Sequence, residues 1–392
     1  MENKSLKLEE LAVKITDGAH HSPKDFKNGF PMLSVKDMRE NGFDLKNCKR
    51  ISEEDFDKLI SSGCKPEIDD ILIAKDGSVL KHIFRVKEEP NYVLLSSIAI
   101  VRPNKDIVEP EFLAYSIKNP VTKELILNNY LGGTGVPRIV LKDFKKIDFD
   151  LPPLPEQKAI ASVLSSLDDK IDLLHQQNQT LEALAETLFR QWFIEEAKEE
   201  WERKKIGDVL LTVLGGTPST SKEEYWNGNI PWINSGEVNK FRILEGTKFI
   251  TELGLKKSNT KLLPIGTTVL AITGATLGQI SLLEIDTCAN QSVVGIIPNE
   301  KLSKSFVFLW VKNKINKIIL NETGGAQPHI NKNDINETEI IIPDSESIDY
   351  VKNNIDPLFD KISKNCFQIQ TLNQLRDTLL PKLMSGEVRV KN

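Results

Sequence analysis

The chain has 392 residues, 40% of them hydrophobic and 27% charged, which supports two or three domains with cores of their own. No apolar run reaches the roughly eighteen residues a membrane span needs, residues 1–10 lack the apolar centre of a signal peptide, and a cytoplasmic protein is expected. Cys48, Cys64, Cys288 and Cys366 form no Cys-x-x-Cys pair, which argues against structural zinc or a disulfide framework, and the net charge of -5 counts mildly against nucleic acid as a partner without excluding a local basic stripe.

As far as about residue 150, short β-branched runs alternate with Gly, Pro, Asn and Asp, the texture of strands and turns. His20 and His21 follow Gly18 in a loop; metal binding needs more ligands than stand nearby, so a solvent-facing or phosphate-contacting pair is the better reading. Phe30-Pro31-Met32-Leu33-Ser34-Val35-Lys36 and Ile71-Leu72-Ile73-Ala74-Lys75-Asp76-Gly77 read as strands running into turns, and Gly132-Gly133-Thr134-Gly135-Val136-Pro137-Arg138 as a glycine loop.

Leu154-Pro155-Glu156-Gln157 opens a helix, with proline and an acid suited to its first turn. Its apolar stripe is Leu164, Leu167, Ile171, Leu174, Leu181, Ala185, Leu188 and Trp192, with Asn178 filling the gap. The alternating 3,4 spacing is that of a coiled coil. Asp168, Asp169 and Lys170 read as a solvated face, and the charged run from Glu195 to Lys205 as a helix end or linker.

The second half rewrites the first. Ile230-Pro231-Trp232-Ile233-Asn234 answers the Phe30 block, Val269-Leu270-Ala271-Ile272-Thr273-Gly274 the Ile71 block, and Asn290-Gln291-Ser292-Val293-Val294 the block at Leu94-Leu95-Ser96-Ser97-Ile98. Gly324-Gly325-Ala326-Gln327-Pro328-His329 answers the glycine loop, and Leu358-Phe359-Asp360-Lys361-Ile362 answers Leu167-Asp168-Asp169-Lys170-Ile171. Five blocks in one order make an internal repeat. A second stripe runs through Ile355, Leu358, Ile362, Ile369, Leu372, Leu379 and Leu383 with Asn365 inside it; Pro357 is expected in that helix's first turn and Pro381 at its end. The expected fold is α+β: two similar mixed α/β domains, residues 1–153 and 198–344, separated by two long helices, residues 154–197 and 345–392, forming an antiparallel coiled coil about a pseudo-twofold. If the pairing sets Asn178 near Asn365, the pair fixes register; otherwise both are solvated at an imperfect seam. The first stripe spans roughly 42 Å at ~1.5 Å per residue, close to the ~34–36 Å of one duplex turn.

Leu151-Pro152-Pro153-Leu154-Pro155-Glu156-Gln157, the Leu167 block and Leu188-Phe189-Arg190-Gln191-Trp192-Phe193 closely resemble the central region of Type I restriction–modification specificity subunits. Leu380-Pro381-Lys382-Leu383-Met384-Ser385-Gly386-Glu387 resembles their C-terminal end, and Thr273-Gly274-Ala275-Thr276-Leu277-Gly278 and Gly324-Gly325-Ala326-Gln327-Pro328 resemble their repeated motifs. The chain departs from that pattern at Ile342-Pro343-Asp344-Ser345-Glu346, at Asp76-Gly77-Ser78-Val79-Leu80-Lys81, and by one extra residue in the first glycine loop. The resemblance implies two target-recognition domains, each reading one half of an asymmetric bipartite sequence in double-stranded DNA. It implies helices that space these domains and dock two methyltransferase (modification) subunits, with restriction/translocase subunits joining through them. No cofactor is expected in this chain; S-adenosylmethionine, ATP and Mg belong to the partner subunits.

Candidates for DNA contact are His20, Lys36, Lys75, Arg138, Asn234, Thr273, Gln327 and His329, by side-chain chemistry and by glycines that let backbone approach phosphate. The plainer alternative is that they flank strands and turns. The sequence has no P-loop, methyl-donor glycine loop or Asn/Asp-Pro-Pro-aromatic motif, so chemistry is expected in another chain. An enzyme reading would need such a constellation, and a scaffold reading would need no nucleic acid.

Overall fold

Ile71–Ala74 is apolar and buried at every position, the mark of a strand covered on both faces. Side chains alternate across a sheet, so Ile71 and Ile73 enter a core with Phe112 and Leu113, while Leu72 and Ala74 enter another with Leu33 and Met38. The computed structural model describes residues 4–133, 135–320 and 329–390, and the chain divides into two compact units, Met1–Lys170 with Leu372–Asn392, and Ile171–Thr371. Where the sequence reading sets the helices apart as segments of their own, each unit takes part of both.

In the first unit, Ile71–Ala74 lies inside an antiparallel sheet ordered Ala12–Asp17, Ile98–Pro103, Ile71–Ala74, Ile83–Arg85. A second sheet joins Lys49–Ile51, Phe30–Leu33 and Val93–Leu94, the last two parallel. Helices Pro110–Lys118 and Pro120–Tyr130 follow, and Lys4–Lys7 pairs with Asp148–Leu151, the strand that leads into the central helix.

The second unit repeats the plan. Its sheets are Leu211–Leu214, Val293–Ile297, Thr268–Ala271, Ile280–Leu282, and Lys248–Ile250, Trp226–Ile233, Thr287–Ala289, Leu262–Leu263. Here too one pair, Trp226–Ile233 with Thr287–Ala289, is parallel. Helix Lys304–Leu320 stands where the first unit has Pro110–Lys118, matching Phe306 to Phe112 and Lys312 to Lys118. Even backbone strain recurs: Asp69 and Gly77 take positive φ of 72° and 74°, and Gly266 and Gly274, their counterparts, take 84° and 65°. The charged run from Glu195 does not stay a linker throughout. Glu202–Lys205 is a strand paired with Glu339–Ile342. All four of its side chains are exposed, so a backbone ladder builds it and no side-chain period could announce it.

The central helix runs Leu154–Arg190 and closes with a π turn, Gln191–Glu195. The C-terminal helix begins earlier than Pro357. Asp344 accepts from the Ser347 amide at 2.9 Å and caps Ser345–Tyr350, a π turn follows at Val351–Ile355, and Asp356–Ser385 continues. Pro357 therefore sits inside the helical run, just past a wide turn that accommodates a residue with no ladder N–H. Nor does Pro381 end the helix, which continues to Ser385; so near the terminus, one missing N–H removes only one ladder bond. Asp344 is held well below the usual carboxylate range by Lys198, 2.6 Å away, and by Ser347.

Within each unit the two helices run antiparallel. In the second, Asn365 Nδ2 donates to Asn178 Oδ1 and to Gln177 Oε1, both at 2.8 Å, while farther along Phe189 shares a core with Phe359. Both asparagines are buried. In the first unit, Leu164 shares a core with Leu380 and Leu383. Leu164, Ile171, Leu174, Ile355, Ile362 and Ile369 are buried; Leu167, Leu181, Leu188, Leu358, Leu372 and Leu379 are half-buried. The positions buried beside several of the latter are Asp168, Phe189, Phe359 and Leu380, because the helices there pack on a lobe as well as on each other.

Asp168 corrects the reading of a solvated face: it is 4% exposed. Tyr115 donates its hydroxyl to it at 2.6 Å and Arg376 its guanidinium at 2.7 Å. Burial and the adjacent Asp168 push the Tyr115 hydroxyl pKa far up; against desolvation, Asp168 and Asp377 hold Arg376 above its ordinary value. The second unit has Leu309, Phe359 and Ala185 at the matching positions. It is fastened instead by Arg242, almost fully buried, which lies 3.4 Å from Glu182 and 3.9 Å from Glu284 and has the rings of Phe241, Phe308 and Phe359 around its guanidinium. Burial pushes the Glu284 carboxyl up, opposed by a 2.7 Å hydrogen bond from Ser363. Removing one partner of a buried ion pair strands the other, so Asp168→Ala should lower stability in chemical denaturation by about 3 kcal/mol. A loss near zero would mean that the trio does not fasten the unit.

Candidate functional site

Two glycine-bearing segments meet in the first unit. The turn after Ile71–Ala74 carries Gly77, whose amide donates to the Pro137 carbonyl at 2.8 Å. Arg138 forms an antiparallel bridge with Asp76 and exchanges bonds of 2.8 and 2.9 Å with Gly132. Ile139 then donates to the Lys75 carbonyl at 3.0 Å. Glycine is required at 133: its φ is 106°, and a Cβ there would stand 2.2 Å from the Val136 carbonyl oxygen.

The second unit builds the same junction from different side chains. Thr273 bridges His329, as Asp76 bridges Arg138, and Ile330 donates to the Ile272 carbonyl at 3.1 Å. Gly278, at φ 83°, closes the turn with a bond from its amide to Ala271 of 2.9 Å; in the first unit the amide of Leu80, itself at φ 55°, closes onto Ala74 at 2.8 Å. The departure at Asp76–Lys81 thus costs a leucine in the left-handed region, where glycine is favoured.

Arg138 and His329 come to equivalent places with exposed side chains. Gln327 lies outside the described residues. Lys75 points inward: it is 7% exposed, with its ammonium 3.0 Å from Asp76 and 3.4 Å from Asp17, so its charge is matched within the fold. Thr273 is half-buried at the bridge. His20 is exposed, one ring nitrogen 3.2 Å from Asp17.

Lys36 and Asn234 stand in matching 3-10 turns. Ser34 donates its amide to Asp37 at 2.8 Å, and Asn234 its amide to Glu237 at 3.0 Å. Lys36 projects exposed from this turn, whereas the Asn234 side chain accepts from the Gly236 amide at 2.7 Å and acts as a cap. The buried carboxylates Asp37 and Glu237, which hold these turns, escaped the sequence reading; an acid three residues past Ser or Asn is the capping-box signal that could have found them. Among the described residues no group of three or more His, Cys, Asp or Glu is arranged to hold a metal ion, and no helix is long and apolar enough to cross a membrane.

The arrangement is thus two matched platforms, each a sheet whose turn is bridged by a returning segment, at Arg138 in one and at His329 in the other. Such a surface can lay backbone amides and one projecting side chain against a partner. Gly133→Ala should speed hydrogen exchange at the Gly77 and Arg138 amides, because the strained loop must withdraw. Unchanged protection would show that the two segments do not depend on each other.

The family described as "Type I restriction modification DNA specificity domain" matches the chain twice, over residues 2–183 and 198–373. The MjaIX specificity subunit of Methanocaldococcus jannaschii is 30% identical over 73% of this chain and 71% of its own length. The HindI specificity subunit of Haemophilus influenzae is 24% identical over 79% of this chain and 84% of its own. Among solved structures, the type I restriction-modification S subunit from M. genitalium shares the fold with a TM-score of 0.61, at 17% identity, covering 98% of this chain and 96% of that one.

Proposed function

The chain belongs to the type I restriction–modification DNA specificity family, and on that footing we propose that it reads a two-part duplex DNA target, one half with each unit, without doing chemistry itself. The observation that supports this best is the repeated junction. One chain carries two similar turns, each bridged by a returning segment, with different side chains, Arg138 and His329, at the equivalent place. A shared backbone frame suits two similar domains docked on one duplex: backbone amides and the side chain projecting beside the turn position each domain on phosphates, and side chains elsewhere on each lobe read base edges. In this reading the helix pair sets the unread gap between half-sites and receives two modification subunits, through which restriction subunits join. S-adenosylmethionine, ATP and Mg are then supplied with those subunits.

Binding to duplex DNA should weaken steeply with salt, since each phosphate neutralised contributes about 0.9 to the log–log slope. Arg138→Ala should lower affinity for all sequences alike and reduce that slope by about 1. A flat salt response of the wild-type assembly would refute the reading.

The spacing role has its own test. Adding one heptad to each helix lengthens the pair by roughly 10.5 Å, so the gap between methylated half-sites should grow by about three base pairs. A preferred gap that ignores the insertion would remove the helices as its determinant.

A further inference from the structure

Lys118 and Lys312 occupy the same place in the repeat, at the end of the first helical turns that pack on the long helices. In the second unit the charge is answered: Lys312 lies 2.6 Å from Glu186 and 3.4 Å from Glu182. In the first unit, Asp377 stands where Glu186 does but lies 3.0 Å from Arg376, which is also 2.7 Å from Asp168 and 3.1 Å from Glu40. The guanidinium takes all three carboxylates. Lys118 lies 5.3 Å from the ring of Tyr115, and among the described residues no direct ion pair engages Lys118 or Lys123.

These two lysines, with Lys81 and Arg376, line a cavity of about 130 Å³ whose acids are Glu40 and Asp377. Both lysines are only partly exposed; desolvation depresses both, and Lys118 adds repulsion at Lys123. The nearby acids Asp168, Glu111, Glu40 and Asp377 offset this only in part, and Arg376 already engages three of them; partly buried cations so placed favour an anion that completes them. The cavity has room for one tetrahedral oxyanion. Lys81 ends the Asp76–Lys81 turn described above, which brings one wall of the cavity from the same turn that meets the glycine loop.

We infer that this cavity of the first unit is a phosphoryl-anion site, closed by Lys81, Lys118 and Lys123 and absent from the second unit, where Glu182 and Glu186 already neutralise the equivalent lysine. The anion is either a DNA backbone phosphate, in which case the site rests on the DNA-reading function, or free phosphate.

Lysine acylation of the intact wild-type chain, mapped by peptide mass spectrometry, tests this without any variant. Inorganic phosphate or a mixed-sequence duplex should protect Lys118 and Lys123 at least severalfold, and Lys312 not at all. Protection by duplex but not by millimolar phosphate assigns a backbone phosphate; the reverse assigns a free anion. Lys118→Met with Lys123→Met, at unchanged melting temperature, should then lower the salt slope of duplex binding by about 1 in the first case and abolish calorimetric phosphate uptake in the second. Lys312→Met should do neither. If neither ligand protects the two lysines, the site does not exist, even where the wild type binds duplex normally; if the wild type fails to bind duplex, the DNA reading falls and the phosphate arm still decides the cavity.

Discussion

Each lobe shares its hydrophobic core with the helix pair, and the rest of the structure depends on that fusion. Leu164, Leu380 and Leu383 belong to the same core as Phe112 and Ile71; Phe189, Phe193 and Phe359 belong to the same core as Phe306 and Leu270. A helix pair buried in this way cannot turn about its axis without opening the lobe packed on it, because close-packed interiors do not deform gradually. Within each unit the lobe is thereby tied to the helix segments packed on it.

Polar groups buried in the seam set which residues face which. The Asn178–Asn365 bond and the Tyr115–Asp168–Arg376 trio are satisfied only in one register, and a slip would leave them unpaired in a low-dielectric interior, where an unmade bond is expensive. Apolar contacts such as Leu164 against Leu380 supply cohesion but would tolerate several alignments. Burial also makes the seam chemically quiet: it pushes the Cys366 thiol, beside Asn178, up to about 11, so little reactive thiolate forms.

The repeat, the strand-and-turn texture of the lobes and the two helices were all visible in the sequence, because apolar spacing and glycine positions record backbone geometry directly. What escaped notice depends on neighbours distant in sequence. Asp168 has the composition of a solvated face and is buried only because Tyr115 and Arg376 converge on it. Glu202–Lys205 is a strand with no buried side chain, recognisable only from its partner Glu339–Ile342. Lys75 has the charge to take an outside anion but is answered by Asp17, and Pro357 has the chemistry of a first-turn proline but follows a π turn within the helical run. The glycine turns were legible as turns; which of their side chains face outward was not.

The unlike fastenings of the two units have a consequence for descent and engineering. Matched through the repeat, Arg376 falls on Ala185 and Asn365 on Leu174. A homodimer assembled from two copies of the first half would therefore set Asp168 against alanine and Asn178 against leucine, leaving the carboxylate with Tyr115 but no cation and the amide without its partner amide. The two halves of the repeat are complementary at the seam where they are not alike: each carries polar groups whose partners lie in the other, so they are not interchangeable parts.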